Sequence, residues 1–308
     1  MEIKKIKYGG WNNCYRLANK LVEVVVTSDV GPRIIRYSFL NGDNEFCEYE
    51  NQLGKTKSKE WMIYGGHRLW HAPEARPRSY SPDNNPVEVK IEKFTIKLTQ
   101  PVELSTGIQK EIEVTLDKNS TMVTVLHRLT NKNLWPIELS IWALSVMAKG
   151  GFAIIPREKY VPHTQSLLPT MPLVLWSYTD MSDKRWKWGK KYLILHQDEC
   201  AKNPQKIGAR VLAGWAAYSR KNNIFVKFFD YKKDANYPDF GCTVETFTNE
   251  DMLELETLGP LTKLEPDASV EHIEKWFLLG KPNIKPIDES IDSNVLPFIS
   301  NLKKTIVS

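Results

Sequence analysis

The chain has 308 residues, 42% of them hydrophobic, with 42 basic and 37 acidic side chains for a net charge of +5. That length allows one large β domain or two ordinary ones, and no apolar run reaches the roughly 18 residues of a membrane-spanning helix. Interspersed charges give no nucleic-acid footprint, and the four scattered cysteines lack CxxC spacing, which predicts reduced thiols and excludes a disulfide framework.

In chain order, "MEIKKIKYGG" is basic with no apolar stretch behind it, unlike a secretory leader, so a cytoplasmic protein is expected. "LVEVVVT" (21–27) reads as a strand, and "SDVGPRIIRYSF" as a turn into a strand carrying Arg33 and Arg36. "WMIYGGHRLWHAPEARPRSY" (61–80) reads as a loop: Gly65 and Gly66 permit a sharp turn and Pro73 stiffens the exit. Segments 87–100, 110–117 and 120–131 are rich in β-branched residues and alternate, with "LDKNST" as a hairpin turn between the last two. "IELSIWALSVM", "KYLILHQ", "NIFVKFFDY", "CTVETFTN", "DMLELETL" and "VEHIEKWFLLG" continue the series. Strands every ten to fifteen residues without intervening helices predict an all-β, large antiparallel sandwich over residues 1–280. "IDESIDSNVLPFISNLKK" has apolar residues at roughly helical spacing, so residues 281–308 are expected to form a terminal helix packed on that domain.

Several stretches offer chemistry. The 61–80 segment supplies His67, Arg68, Trp70, His71 and Glu74. Arginine's forked donors suit hydroxyls or an anionic group, and a tryptophan face stacks on a pyranose ring. The i, i+4 spacing of His67 and His71 also suggests a zinc helix, but the flanking glycines and Pro73 oppose a regular helix, so no metal is expected. His127 reads as structural. His163 lies on a Pro-flanked loop able to reach a sandwich mouth, and Asp239 and Glu245 in "YPDFGCTVE" are candidates to line the same cleft. "DKRWKWGKKY" fits either an acidic-ligand site or a surface hairpin with its tryptophans folded inward. Glu254 and Glu256, two apart on a strand, share one face; that pattern fits a solvated surface or a site.

Three blocks, "YGGHRLWHAPE" (64–74), "LTNKNLWPIELSIWALSVM" (129–147) and "MLELETLGPLTKLEPDASVEHIEKWFLL" (252–279), together resemble the galactose mutarotase-like superfamily of aldose and hexose-phosphate epimerases, in an uncharacterised branch. The resemblance implies a β-supersandwich and a sugar-binding enzyme that opens a hemiacetal ring by general acid–base catalysis without a cofactor. Its partner would be a small-molecule sugar or sugar derivative, with no nucleic acid or membrane involved and a homo-oligomer allowed. The family's base falls on Glu256. Its histidine acid has no counterpart, because Trp142 and Ala143 stand where it would lie. One of His67 and His71, preferably His71, is therefore expected to replace it, with Arg68, Trp70, Glu74, Asp239, Glu245, Glu254 and His163 as substrate contacts. Without a replacement acid, a non-catalytic carbohydrate-binding protein is the alternative, and a lyase or hydrolase acting on an oligosaccharide is another.

Overall fold

A computed structural model describes residues 2–280 and 284–307. Residues 1, 281–283 and 308, including the start and end of the expected tail, lie outside the described residues. In chain order the strands are β1 (Glu2–Tyr8), β2 (Trp11–Ala18), β3 (Val22–Thr27), β4 (Arg33–Phe39), β5 (Gly66–Ala72), β6 (Glu88–Glu92), β7 (Thr95–Thr99), β8 (Ile108–Leu116), β9 (Val123–Asn131), β10 (Ile137–Met147) and β11 (Gly151–Pro156). They continue as β12 (Leu173–Leu175), β13 (Trp186–Trp188), β14 (Tyr192–His196), β15 (Gln205–Ala209), β16 (Trp215–Arg220), β17 (Asn223–Phe229), β18 (Val244–Thr248), β19 (Leu253–Leu258), β20 (Thr262–Leu264) and β21 (Ser269–Gly280).

Two antiparallel sheets result. The first runs β1-β2-β3-β4-β5-β10-β19-β18-β15-β12, with β20 pairing β10; the second runs β13-β14-β11-β16-β17-β21-β9-β8-β7-β6. The all-β sandwich expected from the alternating segments is thus present. The 87–100 segment is a hairpin of β6 and β7, because "EKF" interrupts the alternation at Lys93, which adopts φ 51°.

The main core lies between the sheets. Val24, Val26, Ile34, Leu69, Leu253 and Leu255 from the first sheet meet Ile112, Val114, Val125, Tyr218, Phe225 and Trp276 from the second. A second cluster covers the outer face of the second sheet, where Ile154, Ile194, Ile224 and Phe277 meet Ile291, Val295 and Ile299. Ile291 and Ile299 come from two C-terminal helices, Asp288–Asn294 and Leu296–Val307, and Val295 from the junction between them. Pro297 is the second residue of the latter, in the first turn, where a missing backbone N–H costs no intrahelical bond. One helix was expected and two form, with Val295 between them.

The outer face of the first sheet is covered by irregular chain instead: the 49–65 and 73–86 segments and the turn after β12. This cover makes charged residues on that face buried ones.

Candidate functional site

Residues 66–72 form a strand, not the loop expected from the glycines and Pro73. β5 lies between β4 and β10, and all seven of its residues are buried. Gly65 (φ 95°) and Gly66 (φ 73°) turn the chain into it. A Cβ at either position would meet the carbonyl of Cys47 or Ile34, so only glycine fits.

A strand sends successive side chains to opposite faces, and this separates the expected site residues. His67 and His71 face the other sheet. His67 Nε2 is 2.7 Å from His127 Nε2, and its Nδ1 is 2.8 Å from Ser145 Oγ. His71 sits against Arg78, with Nδ1 3.3 Å from a guanidinium nitrogen, and its Nε2 is 4.0 Å from Glu103. Burial holds both imidazoles well below their ordinary pKa. The expectation that one of them reaches the cleft of Glu256 is therefore corrected: the sheet itself stands between. Arg68 and Trp70 point the other way.

On that outer face the register assembles a cluster. Leu144 of β10 is flanked by Arg68 on one side and Glu256 on the other, and Trp142 pairs with Trp70. Glu245 of β18 lies opposite Glu256 of β19. Glu256 is fully buried. Its Oε2 accepts the Trp142 indole N–H at 2.6 Å and lies 3.6 Å from Lys206 Nζ. Lys206, from β15, also contacts Glu245 Oε2 at 2.8 Å. Arg68 pairs with Glu254 at 2.8 Å and lies over the rings of Trp61 and Trp70. Trp61, Trp70 and Tyr80 meet edge to face.

The remaining expected contacts are less central. Glu74 is exposed and accepts the Tyr80 hydroxyl at 2.5 Å. Asp239 is half-buried with φ 50°, close enough to Glu245 to push its proton affinity up. His163 is exposed on the loop between β11 and β12. Of the "KRWKW" tryptophans, Trp186 packs in the core while Trp188 stacks on it, half-exposed.

The electrostatics follow from burial. Burial raises Glu256 to a pKa of about 7; the Lys206 ammonium opposes the rise and Glu254 adds to it. Glu245 is pushed well above the carboxylate range, again by burial first. Burial also works against the Lys206 charge, but Glu256 and Glu245 outweigh it and keep the ammonium well protonated. One cation therefore holds two carboxyl groups that share a preference for a single proton. Each keeps one buried oxygen, Oε1, without a hydrogen-bond partner. Buried unsatisfied groups are rare in folded proteins, and functional sites are one place they persist.

Sequence reasoning missed Lys206, Tyr80, Trp61 and Trp176, whose ring lies 4.6 Å from Lys206 Nζ. Lys206 is a single lysine in a five-residue strand, and nothing in "QKIGA" marks it. Trp142 was visible only as the residue at the missing histidine's place.

His67, His127 and Glu274 bring ligand atoms within 4.8 Å of one another, a donor set that suits a metal. But Glu274 already contacts Lys227 Nζ at 2.8 Å and accepts the Trp276 indole at 2.7 Å. A divalent ion beside that buried ammonium would leave excess positive charge in a dry interior, so the cluster reads as a closed polar network. A cavity of about 720 Å³ is lined by Arg78, Leu104, Trp135 and Glu138 among others; it holds one carboxylate and no partner base.

No family model matches the chain, and no curated protein matches it. Solved structures do. A "putative aldose 1-epimerase" from Klebsiella pneumoniae superposes with a TM-score of 0.62 at 13% identity, over 97% of this chain and 86% of the other. The chain has the galactose mutarotase-like fold. A galactose mutarotase-like protein from Lactobacillus casei gives 0.53 at 8% identity, covering 87% and 100%. A TPR-domain containing protein from Parabacteroides distasonis gives 0.60 at 14% identity, with 88% of this chain matched to 47% of that one. At such identities the likeness concerns the fold, which by itself assigns no chemistry. No helix among the described residues is long and apolar enough to cross a membrane.

Proposed function

We propose that the protein binds a small sugar on the outer face of the first sheet and interconverts its anomers, with Glu256 as general base. One observation carries this reading: a fully buried carboxylate with a pKa raised to about 7, oriented by Trp142 and Lys206, with one oxygen unpartnered. A base poised near neutrality can take a proton from an anomeric hydroxyl and return it, which is the condition for efficient acid–base catalysis. Trp70, Trp61 and Tyr80 supply flat faces of the kind that stack on pyranose rings, and Arg68 and Glu254 supply hydroxyl partners. Fold likeness to aldose 1-epimerase-like structures is consistent with a sugar ligand, and a cytoplasmic setting fits the free thiols.

The deciding experiment is NMR exchange spectroscopy on freshly dissolved aldoses and hexose derivatives. Anomeric exchange faster than buffer, abolished in Glu256→Gln, supports the reading; no acceleration across the panel sinks it. A second reading, sugar binding without turnover, is favoured by one fact: both histidines of β5 face away from Glu256, and no histidine contacts it. Saturable quenching of tryptophan fluorescence without exchange would select it.

A further inference from the structure

The reaction proposed above needs an acid as well as a base, and the histidines do not reach Glu256. The candidates on its face are few. Glu254 is tied to Arg68. Lys206 is held protonated by its two carboxyl neighbours, which makes it a poor donor. Tyr178 is pushed above its ordinary range by burial, and Glu74 is exposed. Glu245 remains. It is 1% exposed, stands directly across the β18–β19 ladder from Glu256, and shares the Lys206 ammonium with it. Residues opposed across an antiparallel pair have Cβ atoms about 4.5–5.5 Å apart, so the two carboxyl groups stand side by side on the outer face. Both Oε1 atoms lack partners.

We propose that Glu245 is the proton donor that works with Glu256, replacing an imidazole with a second carboxyl group. This rests on the acid–base reading of the site. Ionised Glu256 takes the proton from the anomeric hydroxyl; the carbonyl C1=O1 forms as the C1–O5 bond breaks. O5 takes the proton of Glu245, which becomes the carboxylate. After rotation about C1–C2, the O5 hydroxyl adds to the other face of C1, its proton returns to Glu245, and Glu256 gives its proton to O1. The pair carries one proton at every stage, so the charge facing Lys206 never changes. That constancy matters in a buried site, where an unbalanced charge is costly. The charged and titratable groups around Glu245 are Lys206, Glu256, Asp239, the Tyr178 phenol and the buried Cys242 thiol.

The test uses the full-length protein with two readouts. Glu245→Gln should lower anomeric exchange by about 10²–10⁴-fold while sugar affinity stays within a few-fold, and Glu245→Asp should retain part of the rate. The wild-type rate should fall at alkaline pH as the donor is lost, and that limb should disappear in Glu245→Gln. Infrared spectroscopy on the alkaline side of the Glu256 pKa of about 7 should show a protonated carboxyl band that is missing in Glu245→Gln. A Glu245→Gln enzyme within threefold of wild type overturns the proposal, as does a carboxyl band unchanged by the substitution. If the wild type exchanges no sugar, the acid–base function falls; loss of the band in Glu245→Gln would still identify Glu245 as the proton-bearing group, and its persistence would refute that.

Discussion

Glu256 couples the site to stability in a direction opposite to an ordinary ion-paired carboxylate. Its folded pKa of about 7 lies above the usual carboxylate value near 4.5, so the folded state binds the proton more tightly. The stabilisation is complete below about pH 4.5 and is lost as pH rises through about 7. Glu256→Gln removes that loss. The variant is expected to melt higher than wild type at pH 8 and to show a shrinking difference toward pH 5, as calorimetry at several pH values would reveal. Trp142 acts through the same carboxylate. Its indole N–H favours the charged form, so Trp142→Phe should raise the Glu256 pKa further. The acid limb of the exchange rate would move to higher pH; an unmoved limb would show that the indole does not tune the base.

At the scale of elements, β5 concentrates the lesson. Gly66→Ala forces a side chain onto a left-handed backbone and into the carbonyl of Ile34. A loss of about 1–3 kcal/mol is expected, measurable by denaturant unfolding. Neighbouring substitutions should diverge: His67→Gln should reduce stability, while Arg68→Gln should chiefly weaken sugar binding. This strand was illegible in the sequence because both its faces are buried, and a strand covered on both sides loses the polar–apolar alternation by which strands are found. "HRLWH" therefore looked like a loop rich in functional groups. Segments with one solvated or uniformly apolar face, such as 120–131 and 110–117, were legible. The Glu254–Glu256 pair was also legible as a shared face, since that needs only the two-residue period. Lys206 was not, because its importance comes from β15 pairing with β18, a long-range register that local pattern does not encode.

At the scale of the whole molecule, the space between the sheets holds a second set of titrating groups with the reverse sign. His67, His127 and His272 are neutral because burial lowers all three, His272 to about 3. Glu274 stays ionised well below the usual range: burial opposes its charge, but Lys227 together with the surrounding His67, His127 and His272 outweighs that. An imidazole titrating near 6.5 when unfolded takes its proton first in the unfolded chain. Its stabilising contribution is whole above about pH 6.5 and is lost as pH falls toward 3. His272→Gln should flatten the acid side of the stability profile. An unchanged acid slope would place the cause elsewhere.

The shared ammonium of Lys206 has a consequence for what the protein can recognise in a crowded mixture of metabolites. Its charge is cancelled by the one ionised carboxyl group of the pair, and Arg68 is cancelled by Glu254, so the covered face meets a ligand as an electrically neutral surface. Added salt screens exposed charges beyond about 10 Å at 0.1 M, but here it has little to screen. The Michaelis constant for an uncharged sugar should stay nearly flat from low to physiological ionic strength. Phosphorylated sugars, which would bring a negative charge with no counter-charge onto this neutral buried face, should be discriminated against by desolvation at every salt concentration.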